Sequence, residues 1–249
     1  MTKMSWLAAS YHFPSTYSIR VPMSSETHAR VLPTPGPATI RLTLLRTSIE
    51  VFGAEETQHT LFPLFISCSL SIRPPVQVAI TQQQLRGYKR SPNREEATET
   101  LQESLLQREM AYAKGEMTIY AHIPSAFLTQ YATLFRAIGY WGQSSSLTTC
   151  LDLSEQEPRS EECMMPLAQL AMLRPQAMIQ PWFPALVSEF ANNGVTWREV
   201  IAPNALSKKR VLHLDVAVWP LTLLRQNGSG KYFLRQAFFE RKEFNVISS

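Results

Sequence analysis

The chain has 249 residues, a formal net charge of +4, 45% hydrophobic residues and 18% charged residues. This composition is typical of a globular protein and excludes a disordered one. The sequence lacks an uninterrupted apolar run of about 18 residues, which argues against a membrane-spanning helix. The N-terminus also lacks the apolar core of a secretion signal, so we expect a cytoplasmic protein.

The residue pattern in the first half of the chain predicts a strand, a helix and then further strands. Residues 6–13 are apolar and aromatic and are predicted to form a strand. Apolar side chains recur at helical spacing over residues 40–52, and Gly53 is predicted to end that helix. Pro74 and Pro75 would interrupt a strand ladder, which predicts an edge or a bend before the alternating residues 76–80. The remaining predictions are a short acidic surface helix or mobile segment at 95–107, then strand at 108–113 and 116–123.

The stretch 121–153 predicts a helix, a glycine-rich corner and a strand. The helix has one apolar face, formed by Phe127, Tyr131, Leu134, Phe135 and Ile138. Ser125 is placed to cap the N-terminus of this helix, and Gly139 to form a left-handed cap at its C-terminus. The corner at 139–146 mixes glycine, aromatic and serine residues, a composition that suits close approach to a ligand backbone.

Together these elements predict an α+β fold of the ferredoxin-like order, strand-helix-strand-strand-helix-strand, in one domain at 1–155. An insertion at 82–107, between the two middle strands, would project as a hairpin or thumb. Residues 156–249 form a C-terminal extension that packs on the same domain. Within it we predict a short helix at 182–190, a strand at 211–223 that Pro220 ends, a glycine turn at 227–230 and a returning strand at 231–239.

The sequence offers little support for metal or covalent chemistry. Its three cysteines form no CxxC pair and its five histidines are scattered singly, so we expect no metal site and no cofactor. A G-x-S-x-G nucleophile elbow is absent. The run at 228–231 has Arg225 and Tyr232 where a phosphate-binding loop requires glycine and serine or threonine, which favours a hairpin turn.

What remains is a nucleic-acid binding pattern. Basic residues outnumber acidic ones near both ends of the chain, at 1–54 and at 208–242, while aromatic and basic residues alternate in several loops. Aromatic rings can stack on unpaired bases, and Arg and Lys can hold phosphates. The candidate RNA-binding residues are Tyr17, Arg20, Arg30, Arg86, Tyr88, Lys89, Arg90, Arg108, Tyr112, Lys114, Gly139, Trp141, Gly142, Ser144 and Ser145.

Four stretches of the sequence form a series of short motifs, at 17–21 with 32–35, at 107–112 with 117–120, at 138–147 and at 216–220. In these motifs and their order the chain resembles the "Cas five" family, RAMP-type subunits of type I CRISPR Cascade complexes that hold the 5′ handle of the CRISPR RNA (crRNA). The resemblance implies an RRM-like (RAMP) domain, a thumb formed by the middle insertion, and the Cascade backbone and large subunits as partners. Target DNA would be contacted indirectly, through the complex.

One branch of this family, type I-C, cuts the precursor RNA with Tyr, Lys and His. The present sequence has no adjacent Lys-His pair, so we expect no catalytic residues and a separate processing ribonuclease. Two alternatives stay open. One is a metal-independent ribonuclease that uses His28 or His122 with Lys89 or Lys114, and the other is a protein–protein scaffold whose basic surface is merely solvated.

Overall fold

The computed structural model describes residues 3–24, 28–90, 101–173, 183–191, 195–201, 211–228 and 235–241. These residues form a mixed α/β fold with three sheets, antiparallel except where the two-residue strand β2 pairs with its neighbour. The strands are β1 (Met4–His12), β2 (His28–Ala29), β3 (Ser69–Arg73), β4 (Gln77–Arg90), β5 (Leu101–Lys114), β6 (Met117–Pro124), β7 (Thr149–Ser154), β8 (Met165–Pro166), β9 (Phe183–Phe190), β10 (Leu212–Trp219), β11 (Leu221–Gly228) and β12 (Arg235–Arg241). The α-helices are α1 (Pro37–Phe52), α2 (Ala54–Glu56), α3 (Phe62–Ser67), α4 (Leu128–Ala137), α5 (Leu167–Leu173) and α6 (Trp197–Ile201). None of the helices in this described part has the length and hydrophobicity that crossing a bilayer requires.

The first sheet has four strands in the order β3-β6-β1-β7. The chain passes from β1 through α1 to β3, and from β6 through α4 to β7. Leu7, Ala9 and Tyr11 alternate along β1 and are buried in the core that both helices share. Burial of these apolar side chains is the main force that holds the helices on the sheet.

Helix α4 confirms the periodicity seen in the sequence, and α1 confirms it in part, because Ile40 and Leu44 are buried whereas Ile49 is 36% exposed. In α4, Tyr131, Leu134 and Phe135 are buried, as their spacing predicts. Helix α1 begins at a proline, which needs no hydrogen-bond partner in the first turn, and ends at Gly53. Gly53 has a φ of 87°, a conformation that favours glycine, and its N–H donates to Ile49 O at 3.1 Å.

The second sheet has five strands in the order β11-β12-β4-β5-β2. Its centre is the long hairpin β4-β5, in which each strand has 14 residues. Pro74 and Pro75 separate β3 from β4 and the chain changes sheets there, so the predicted bend is confirmed. A C-terminal hairpin forms as predicted, because β11 pairs with β12 and β12 adds to β4. The single strand predicted at 211–223 is wrong, because residues 212–219 form β10 in the three-stranded sheet and β11 begins only at Leu221. The turn residues 229–234 lie outside the described residues.

Two helix predictions are wrong. Residues 183–190 form strand β9, which pairs with β10 over its whole length in the three-stranded sheet β8-β10-β9. Residues 101–107 belong to β5, where each pairs with a residue of β4. In both places a ladder with a remote partner outweighs local helix preference. Residues 91–100 and Trp182 lie outside the described residues.

The two predicted caps of α4 are also wrong. Ser125 forms no capping hydrogen bond; its Oγ lies 2.8 Å from Ser5 Oγ and donates to Lys3 O at 3.1 Å. At the other end, Ile138 leaves the helix in an extended conformation. Within the corner at 139–146, the glycine that has a positive φ is Gly142, at 71°. Because Ile138 has already turned the chain, Gly139 needs no left-handed conformation.

Candidate nucleic-acid interface

A short extended segment at 17–21 brings the candidate arginines together. Tyr17 exchanges two backbone hydrogen bonds of 2.8 Å with Ala111 of β5. On its other side the segment pairs with residues 30–32, and Arg20 forms a bridge with Val31. Strand β2 pairs with β5 so that Ala29 faces Arg108. The backbone pairing therefore places Arg20, Arg30 and Arg108 in one neighbourhood although they are remote in sequence.

Arg20 and Arg108 are partly buried, and each has a polar atom without a partner. Their Nε atoms are buried and have no hydrogen-bond partner among the described residues. The nearby carboxylate of Glu109 accepts a hydrogen bond from the Val31 N–H at 3.0 Å. Buried donors are normally satisfied, and an unpaired one costs free energy. A phosphate oxygen would supply the acceptor and the negative charge that these guanidinium groups lack.

The glycine-rich corner at 139–146 is fastened to the same segment. Ser146 is buried, and its Oγ accepts a hydrogen bond from the Ser18 N–H at 3.2 Å. Within the corner, the Trp141 N–H donates to Ser146 O at 3.1 Å, which closes the turn. Gly142, Ser144 and Ser145 remain exposed at its tip. The predicted serine and glycine contacts therefore lie on a rigid turn beside residues 17–21.

Two of the predicted base-stacking residues are core residues instead. Tyr17 is 0% exposed, stacks on Phe13 with ring centroids 4.2 Å apart, and donates from its hydroxyl to Pro33 O at 2.7 Å. Burial raises the pKa of this phenol well above its usual value. Trp141 is likewise 0% exposed and meets the Tyr11 ring edge-on at 5.1 Å. Neither ring can stack on a base, and both instead support the backbone that presents the polar groups.

The other candidates lie along the β4-β5 hairpin. Arg108, Tyr112 and Lys114 alternate along β5 and share the sheet face that points away from Glu109. Tyr112 is 53% exposed, so its ring is accessible to a ligand. Arg86 is exposed on β4. The side chains of Tyr88, Lys89 and Arg90 lie outside the described residues.

Two features of this region escaped the sequence analysis. Phe238 of β12 is 38% exposed, two strands away from Tyr112 on the same face. The two residues are so remote in the sequence that no local signal reveals their proximity. Tyr140, in the corner, is covered by Arg46 of α1, whose Cζ lies 3.8 Å from the ring centroid. That cation–π contact holds the corner against the first helix.

The structure separates the groups of the ribonuclease alternative that it describes. Lys114 ends β5, whereas His122 lies five residues past the start of β6, about 17 Å along that strand. The His122 ring stacks on Trp6 at 4.7 Å. The side chains of His28 and Lys89 lie outside the described residues. Across the described part of the chain, no three His, Cys, Asp or Glu residues are grouped as metal ligands.

Comparison with curated proteins shows a CRISPR-associated relative. Over 159 residues, which are 63% of this chain and 68% of the relative, the chain is 26% identical to CRISPR-associated protein Cas5 from Archaeoglobus fulgidus. The crystal structure of a CRISPR protein from Archaeoglobus fulgidus aligns with 97% of this chain and 93% of its own, with 9% identity and a TM-score of 0.42. A type III-B Cmr-beta structure bound to cognate target RNA and AMPPnP aligns with 93% of this chain and 86% of its own, with 10% identity and a TM-score of 0.41. No family model matches the chain.

Proposed function

We propose that the chain is a non-catalytic subunit of a type I CRISPR Cascade complex. Its similarity to a CRISPR-associated Cas5 protein supports this proposal. In this role it binds and caps the 5′ handle of the crRNA in the cytoplasm. It contacts the backbone subunit and the large subunit, and meets target DNA only through the assembled complex. The observation that carries the proposal is that the buried Nε atoms of Arg20 and Arg108 have no hydrogen-bond partner among the described residues.

The topology supports a RAMP domain as the framework of this site. The sheet order β3-β6-β1-β7, with α1 and α4 as its connections, has the strand arrangement of a ferredoxin-like unit. The hairpin β4-β5 is inserted between the second and third strands of that unit. We assign this hairpin as the thumb and its exposed Arg86 as an RNA contact.

The chemistry of the site fits a single strand held by its backbone. Arginine binds phosphate through several planar donors, and Arg20 and Arg108 both lie where residues 17–21, β2 and β5 meet. The small residues Gly142, Ser144 and Ser145 let a sugar-phosphate backbone approach the corner closely. In this proposal the arginines bind phosphates, and the small residues of the corner determine how closely the RNA backbone approaches the protein.

The proposal is tested by removing the two partly buried cations. We expect Arg20→Gln with Arg108→Gln to weaken binding of a repeat-derived RNA and to lower the slope of log affinity against log salt by about one for each phosphate that is no longer neutralised. The matched control is Arg198→Gln, which removes an exposed cation from α6. Affinity and salt slope are measured by fluorescence anisotropy at several salt concentrations. Binding without any salt dependence would instead support the scaffold alternative.

A second assay addresses catalysis. Incubation of the purified chain with repeat RNA in EDTA is expected to leave the RNA intact, because His122 and Lys114 lie too far apart to act on one phosphodiester. Cleavage by the wild-type chain that disappears when His28, His122, Lys89 or Lys114 is replaced by alanine would overturn the non-catalytic assignment in favour of a metal-independent ribonuclease.

A further inference from the structure

The outer face of the five-stranded sheet has a row of aligned side chains. Ala79 of β4 lies directly between Tyr112 of β5 and Phe238 of β12 in the strand register. Residues that face each other across neighbouring strands point to the same side of a sheet. Two aromatic rings therefore stand on either side of a methyl group. Tyr112 and Phe238 are both exposed in the described part of the structure.

The strand spacing leaves room for a planar ring between these two side chains. Two strand spacings put the Tyr112 and Phe238 backbones about 9.6 Å apart. Because carbon atoms in contact lie about 3.5–4.0 Å apart, a base covered on both faces needs about 7–8 Å, a width that the two rings reach once they lean towards the base. The short side chain of Ala79 leaves this space open. The gap belongs to a depression of about 430 Å³ whose lining includes Ala79, Tyr112, Lys114, Arg225 and Phe238.

The charge at the rim of this depression favours an anionic ligand. Lys114 lies two residues from Tyr112 on the same strand face, and Arg225 pairs directly with Phe238. The carboxylate nearest this row in the register, that of Glu240, accepts a hydrogen bond from Gln77 Nε2 at 2.9 Å. Apolar rings with cations on both sides match a nucleobase and its flanking phosphates.

We propose that the slot between Tyr112 and Phe238 holds one unpaired base of single-stranded RNA, stacked between the two rings, with Lys114 on an adjacent phosphate. The slot continues the proposed RNA surface, because Arg108 lies on the same face of β5, about 13 Å from Tyr112 along the strand. The inference therefore rests on the proposed RNA-binding function and adds a base-stacking site to it. A paired base cannot enter the slot, since its own helix already stacks both of its faces.

The test uses the full chain and a repeat-derived oligoribonucleotide with 2-aminopurine placed at one position after another. We expect at least a two-fold drop in fluorescence at one position, where the base is stacked. Tyr112→Ala and Phe238→Ala are expected to abolish that drop and to weaken RNA binding roughly 5- to 150-fold. Tyr112→Phe keeps the ring and should preserve both signals. The matched control is Leu214→Ala, which removes an exposed side chain from the separate sheet containing β10.

The outcomes separate the slot from the proposed function. RNA binding with no position whose fluorescence depends on Tyr112 and Phe238 would overturn the slot and leave the function standing. Failure of the wild-type chain to bind the RNA would overturn both. In Arg20→Gln with Arg108→Gln, the fluorescence drop should persist at saturating RNA, because the rings are intact. If a partner subunit protects Tyr112 from iodination in the absence of RNA, the slot is a protein-binding site and the proposal is overturned.

Discussion

The four-stranded and five-stranded sheets place the same kinds of residue in opposite environments. In the first sheet, Tyr11 of β1 is buried and packs edge-on against Phe135 of α4, with ring centroids 6.5 Å apart. In the second sheet, Tyr112 and Phe238 are both exposed on the outer face. An aromatic residue in a strand is thus a core element where a helix covers it, and is available to a ligand where nothing described covers it.

The cause of this difference is the layer that covers each sheet. Helix α4 packs on β1 and β7, so the rings on that face contribute to folding through buried apolar area. The inner face of the five-stranded sheet is also buried. Its residues Val78 and Ile80 pack in the hydrophobic core and attach the sheet to the rest of the protein. Its outer face can therefore carry Tyr112, Lys114 and Arg108 with little effect on the core. Substitutions in the two regions should accordingly separate stability from RNA binding.

The largest expected effect is at Tyr17, a core residue that contacts β5 directly. Tyr17→Ala removes a fully buried ring and should lower the free energy of unfolding by about 3–5 kcal/mol. Tyr17→Phe removes only the hydrogen bond to Pro33 O and should cost about 1–2 kcal/mol. Urea denaturation followed by circular dichroism measures both values.

Measuring RNA affinity distinguishes a structural role of Tyr17 from a role in RNA contact. Since its ring and hydroxyl are both engaged inside the protein, Tyr17→Phe should bind the repeat RNA with unchanged affinity when measured well below its denaturation midpoint. A clear decrease of affinity in a fully folded Tyr17→Phe would assign the hydroxyl to the RNA, and would remove the distinction drawn between the two sheets.

A somewhat smaller effect is expected at the ion pair that joins α1 to β9. Arg41 Nε lies 2.9 Å from Glu189 Oε1, and Arg41 Nη1 also donates to Cys68 O at 3.0 Å. Burial alone would lower the pKa of Arg41, but its interactions with Glu189 and Cys68 together outweigh burial and raise the pKa. Glu189→Gln should cost about 3 kcal/mol, because it leaves a buried cation unpaired.

The matched control replaces both charges at once. Arg41→Met with Glu189→Leu removes the unpaired cation and should restore much of the stability that Glu189→Gln forfeits, since apolar pairs often substitute for buried ion pairs. Thermal unfolding of the wild-type chain and both variants checks this expectation. Equal destabilisation by the single and double variants would show that packing at this contact, and not its charge balance, attaches β9 to α1.

Local periodicity makes part of this structure predictable. The buried face of α4 and the end of α1 at Gly53 follow from residues three and four apart and from a glycine requirement, so the sequence reveals them directly. The helix predicted where β9 lies is wrong because the pairing partner, β10, is remote in sequence. The mixed α/β class is confirmed, whereas the short helix or mobile segment expected at 95–107 is wrong over 101–107, which belong to β5 of the long hairpin.

The candidate site shows the same limit. The arginines and the corner are recognisable in the sequence because basic, glycine and serine residues in loops suit an anionic backbone. The sequence does not distinguish Tyr17 from Tyr112, because both are near basic residues. They differ in burial, which only the three-dimensional structure reveals. The same holds for Phe238, whose relation to Tyr112 exists only through the register of β12 on β4.

The smallest expected effect concerns the two glycines of the corner, which the structure makes unequal. Gly142 has a φ of 71°, and a Cβ there would lie 3.4 Å from Thr39 Cγ2, so Gly142→Ala should cost about 1–2 kcal/mol. Gly139 has no positive φ and no atom within 4 Å of an added Cβ, so Gly139→Ala should leave stability nearly unchanged. Gly142→Ala with Ser144→Ala should also weaken retention of the RNA, because both residues lie at the exposed tip. If retention is unchanged in this double variant while its stability falls as expected, the corner is a structural turn and the RNA surface is confined to the arginines.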